Sequence, residues 1–158
     1  MKKKKIFKTI AIIAIAGLLI GGGTALYLFN MPHRDVQSAQ ADFTLTSSQI
    51  VNEYLTDKDA ANAKYLAADG DSKILEIAGV VSKISDDFDG NKVILLKSEG
   101  DKSGVSATFT AETNKNLDGV NVGQSITVKG VIRSGASYDE DLEMYENVIL
   151  EKSDIVNK

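Results

Sequence analysis

The chain has 158 residues, enough for one folded domain and a targeting segment, and its formal net charge of −4 hides two opposite parts. From Asp42 to Lys158 there are 12 Lys or Arg against 21 Asp or Glu, a balance of about −9 that repels phosphate backbones and anionic lipid and favours cations or basic partners. The absence of cysteine excludes disulfides, thiolate metal sites and a lipid-modified N-terminal Cys.

Lys2 to Lys5 and Lys8 precede "TIAIIAIAGLLIGGGTALYLF", Thr9 to Phe29, an uncharged run of about the length that crosses a hydrocarbon core of about 30 Å. Tyr27 and Phe29 stand where interfacial aromatics would, and Pro32 follows where the helix must stop. The lysines predict a single pass through a bacterial inner membrane, with the N-terminus in the cytoplasm and the C-terminal domain periplasmic or otherwise extracytoplasmic. A buried core helix is the bland alternative, but core helices rarely carry a basic cluster on one side only. Cleavage after Ala41 in Ala39-Gln40-Ala41 is the other competitor, yet the apolar run is longer than a signal-peptide core and the site lies well beyond its end. The organisation expected is therefore an anchor over 1–29, a polar stalk over 30–42, and a helical lead-in plus folded domain over 43–158. His33, the only histidine, has no second ligand beside it and reads as an interfacial residue.

In "TLTSSQIVNEYLTDKDAANAKYL", Thr46 and Gln49 have capping-box spacing, and Ile50, Val51, Tyr54 and Leu55 form one apolar stripe. Asp57 or Asp59 can cap a second short helix through "AANAKYL", and "ADGDS" ends it with turn chemistry. From Lys73 the period changes. "KILEIAGVVSKI", "NKVILLKS", "GVSATF", "QSITVKGVIR" and "YENVILEK" are short, Val- and Ile-rich, and punctuated by Gly, Asp, Ser and Asn, which predicts five strands. A short helix is predicted over Ala111 to Leu117, and Gly79 and Gly130 inside strands mark a bulge or bend. The fold class expected is mainly β (α+β): a five-stranded OB-fold Greek-key barrel preceded by short helices and an N-terminal transmembrane helix.

The anchor followed by "NMPHRDV", "ADFTLTSSQIVNEYL", "DAANAKYL", "LEIAGVV" and "ITVKGVI" resembles the tRNA-anti-like family of small bacterial membrane-anchored OB-fold proteins. Members run more directly from the "AKYL" helix into the first strand than this chain does, where "AADGDS" intervenes. The resemblance implies the fold and an association with nucleic-acid binding, and it supplies no catalytic residues. Fold alone does not give function.

OB-folds bind on the face of the second and third barrel strands, between the loops that join barrel strands one to two and four to five. Both loops are acidic here. "SDDFDGN" carries Asp86, Asp87, Phe88 and Asp89, and "SGASYDEDLE" carries Tyr138, Asp139, Glu140, Asp141 and Glu143. Single strands of nucleic acid need a cationic groove with stacked rings; only Phe88 and Tyr138 offer rings in these loops, while Lys92, Lys97, Lys129 and Arg133 read as solvated edge charges. The acids leave three readings: solvated turns, contact with a basic envelope protein, peptide or ligand, or a weak calcium site on Asp87, Asp89, Asp139 and Asp141. Locally, "ISDDFDGNKVILL" lacks the closing Glu of a calcium loop, since Leu96 stands there, and Asp-Gly-Asn suits a tight turn. Without a Ser-His-Asp set, a Cys, an HExxH motif or a phosphate-binding Gly loop, no enzyme is expected.

Overall fold

The computed structural model describes residues 14, 17, 20–26, 35–68 and 70–157. It divides into two units, Met1–Asp35 and Val36–Lys158. In the first, residues 20–26 are helical, and Thr24 Oγ1 donates to the Ile20 carbonyl at 2.7 Å. Among the described residues no helix is long and apolar enough to cross a membrane; most of the span from Thr9 to Phe29 lies outside them, as does His33.

In the second unit the local signals act as expected at the helices. Thr46 caps α1 (Ser47–Thr56) reciprocally with Gln49: Gln49 N donates to Thr46 Oγ1 at 3.2 Å, and Thr46 N donates to Gln49 Oε1 at 2.8 Å. Asp57 rather than Asp59 caps α2 (Lys58–Tyr65), accepting from Ala60 N at 3.0 Å. The stripe Ile50, Val51 and Tyr54 is buried.

The strands are β1 (Phe43–Thr46), β2 (Ile74–Asp86), β3 (Lys92–Leu96), β4 (Val105–Phe109), β5 (Ser125–Ser134), β6 (Ser137–Asp139), β7 (Met144–Glu146) and β8 (Val148–Asn157). Five of them close a barrel. β2 pairs antiparallel with both β3 and β5, β3 with β4, β4 runs parallel to β8, and β8 returns antiparallel to β5. One strand serves two neighbours because β2 bends: Ile74 to Val80 ladder with β5, a register shift follows between Val81 and Lys83, and Lys83 to Asp86 continue on β3. This is the closed mainly β barrel that the strand pattern predicts, and it is consistent with an OB-fold. Leu75, Ile77, Ile94, Leu96, Phe109 and Leu150 fill it, and Tyr54 and Tyr65 join the same core from the helices. Each such side chain contributes about 1.5–3 kcal/mol on full burial.

Four local features differ from expectation. β1 pairs parallel with β2 as an added strand beside the barrel. The helix expected at Ala111 to Leu117 shortens to a 3-10 turn, Asn114–Leu117, because the Thr110 and Thr113 hydroxyls bond nearby backbone instead, Thr113 Oγ1 accepting from Thr110 N at 2.8 Å and donating to Ser153 O at 2.8 Å. The last predicted strand is cut at Asn147, whose Oδ1 accepts from Gly104 N at 2.9 Å; Met144–Glu146 turn back onto β6, and β8 runs on to Asn157. Val36 to Asp42, within the span read as stalk, lie on the barrel: Val36 is buried against Ile74 and Val131 with Ala39 and Ala41 beside it, and Asp42 Oδ2 accepts from Ile74 N at 2.8 Å. The strand glycines mark close approaches. A Cβ at Gly130 would lie 2.6 Å from Ser153 Oγ, at a register shift of the β5–β8 ladder, and one at Gly79 would lie 2.8 Å from Ser47 Oγ.

Candidate binding site

The acidic segment Asp86 to Asn91 is a closed turn. Asp87 Oδ1 accepts from Asp89 N at 2.9 Å and from Asn91 N at 2.8 Å, and Asp87 Oδ2 accepts from Asn91 Nδ2 at 3.0 Å. The Asn91 side chain and backbone amide, with those of Asp89 and Gly90, hold its carboxyl below the usual aspartate range. Because the folded value is depressed, the turn keeps this support above the ordinary carboxylate range and loses it as pH falls through the lowered value. Gly90 takes φ +81, Phe88 is fully exposed, and Asp86 Oδ1 pairs with Lys92 Nζ at 2.7 Å.

The second acidic segment is the β6–β7 hairpin. Asp139 Oδ1 accepts from Asp141 N and Leu142 N, both at 2.9 Å, so this carboxylate also holds its own turn, while Glu140 and Asp141 are exposed. Tyr138 packs on Tyr145 with ring centroids 4.8 Å apart.

The two segments are not brought together. The first joins the Lys92 end of β3, and the second adjoins the opposite end of the β3–β4 ladder, where Ser103 Oγ donates to Glu146 O at 2.6 Å and Val105 pairs with Val148. Five residues of β3 separate those ends by about 13 Å. Asp87 and Asp89 therefore do not join Asp139 and Asp141, and no group of three or more metal-ligating side chains forms among the described residues.

Between the two ends lies a surface that loop reading does not expose. Ile94, Leu96, Val105, Ala107, Val148 and Leu150 point into the barrel, so by alternation Val93 and Leu95 of β3, Ser106 and Thr108 of β4, and Ile149 of β8 make its outer face, each half-buried. Register places them in rows, with Ser85 across from Val93, Val93 from Thr108, Lys83 from Leu95, Leu95 from Ser106, and Ser106 from Ile149. Apart from Lys83 at its β2 edge the face is aliphatic and hydroxylated, and none of these residues carries a ring. The period-two alternation in "KVILL" and "VSATF" was its signal in the sequence.

Lys92, Lys97, Lys129 and Arg133 are already engaged, while Lys83, across from Leu95 on the outer face, is exposed. Lys92 pairs with Asp86, Arg133 Nε with Glu151 Oε2 at 2.7 Å, and Lys97 Nζ donates to Lys102 O at 3.4 Å. Lys129 Nζ donates to Gln37 O at 2.7 Å and Ala39 O at 3.1 Å, which ties residues 36–42 to the barrel.

The family model tRNA_anti-like matches residues 1–141. The chain belongs to the tRNA_anti-like family. The match covers β1 to β6 and stops before β7 and β8 of this tRNA_anti-like domain. Among solved structures the domain is similar to a "putative nucleic acid-binding lipoprotein" from Klebsiella pneumoniae subsp. pneumoniae, with a TM-score of 0.52 and 16% identity over 80% of this chain and 100% of that one. At that identity the likeness shows the fold. Among curated proteins none matches the chain.

Proposed function

We propose that this tRNA_anti-like chain is a membrane-tethered, extracytoplasmic OB module that recognises a basic, extended segment of an envelope protein or peptide, without chemistry. One observation carries this reading: the outer face of β3, β4 and β8 offers Val93, Leu95 and Ile149 among the hydroxyls of Ser106 and Thr108, with the Asp86–Asp89 turn at one end. Aliphatic side chains of an extended segment fit such a face, and its lysines would meet the acids, which govern rate and selectivity more than affinity. The membrane address rests on the basic cluster and apolar run from Lys2 to Phe29.

Single-stranded nucleic acid is the runner-up, since the description of the Klebsiella protein names nucleic acid binding. It calls for stacking rings and a row of free cations, and the face offers no ring and a single exposed lysine, Lys83.

The test is an amide chemical-shift titration with a peptide of alternating Lys and Val. Shifts are expected at Val93, Leu95, Ser106, Thr108 and the Asp86–Asn91 turn, weakening as salt rises. Shifts confined to other surfaces, or binding indifferent to salt, would overturn the proposal.

A further inference from the structure

A concavity lies between the end of α1, the start of α2, the β3–β4 loop and the β6–β7 hairpin. Its volume is about 380 Å³, and Tyr54, Leu55, Lys58, Lys102, Tyr138 and Tyr145 line it. That is near the lower end of ligand pockets, enough for one ring and its substituents.

Two of its features point to a ligand. Lys58 and Lys102 reach no carboxylate among the described residues, whereas nearby Lys64 is paired with Glu53 at 2.9 Å. The rings of Tyr138 and Tyr145 stand 54° apart, with Lys102 Nζ 5.4 Å from the Tyr145 centroid. Ser137, by contrast, already donates to the Glu146 carboxylate.

We propose that this pocket binds a monosaccharide-sized ring bearing one carboxylate, as in a uronic acid. The two ammonium groups meet the carboxylate, and the tyrosine rings of the hairpin cover the C–H face of the sugar. The acids of the hairpin, Asp139, Glu140, Asp141 and Glu143, repel a polyanion, which selects a singly charged ligand over a phosphate-rich one. The site uses none of the β3–β4 face residues, so either reading can fail alone.

The experiment titrates the full chain with glucuronate, glucose and benzoate and follows the tyrosine ring and lysine side-chain resonances. Glucuronate is expected to shift Tyr138, Tyr145 and Lys102 saturably, with glucose and benzoate much weaker. Lys58→Met with Lys102→Met, both at the surface, should leave the melting temperature unchanged and weaken glucuronate by about tenfold or more. Equal response to glucose, equal or tighter binding of benzoate, or a double lysine variant that binds like the parent would each overturn the proposal.

Discussion

A chain stopped at Asn147 is expected to show no cooperative thermal transition by circular dichroism, whereas the full chain melts in one. β8 is the strand that closes the barrel. It pairs with β4 on one side and β5 on the other, and its Val148 and Leu150 are fully buried. Losing the burial of those two side chains alone costs about 3–6 kcal/mol, a large share of the 5–15 kcal/mol that holds a typical domain together. The truncation also bares two unpaired strand edges. Because the family match ends at residue 141, a boundary drawn from it would remove this strand. A truncated chain that melts cooperatively within a few degrees of the full one would contradict the closed barrel.

Gly135→Ala is expected to destabilise the domain by about 3 kcal/mol, well beyond an ordinary glycine replacement. A Cβ at this position would lie 1.9 Å from Tyr54 Cε1 and 2.1 Å from Cδ1, inside the ring. Tyr54 is 2% exposed and packs on Tyr65, whose ring centroid is 6.1 Å away, so its ring can yield only by leaving buried neighbours. For a domain of this size the loss appears as a fall of roughly 6–20 °C in melting temperature. Tyr54→Ala in the same chain separates the cause: if the clash is the mechanism, the double variant loses clearly less than the two single losses added together. Strict additivity would place the Gly135 effect elsewhere.

The features legible in the sequence are those carried by short-range chemistry. Thr46 and Gln49 announce a helix start by spacing alone, and the Val- and Ile-rich runs with Asp-Gly and Gly punctuation give the five barrel strands to within a few residues. "DDFDGN" is legible as a turn because Asp87 lies four residues from Asn91, within reach of its amide. What stays hidden depends on partners distant in sequence. "FTLT" is too short to be read as a strand until β2 is beside it, and Val36 looks like part of a polar linker until Ile74 and Val131 cover it. The β6–β7 hairpin hides in an acidic loop because its pairing involves three residues a side. The same reason explains the misjudged distance between the acidic segments. Loop names in a barrel suggest neighbours, but the direction of β3 decides which end each loop occupies. The tyrosine and lysine pocket, assembled from α1, α2 and two loops, leaves no pattern at any single period.

The most direct measurement is the anisotropy of a labelled single-stranded oligonucleotide titrated with the full chain at low and at moderate salt. A face of Val93, Leu95, Ser106, Thr108 and Ile149 on a domain of about −9 charge predicts no saturable binding, even at low salt. Saturable binding that weakens steeply as salt rises, and that Leu95→Glu abolishes, would contradict protein or peptide recognition by this face and make the domain a reader of nucleic acid.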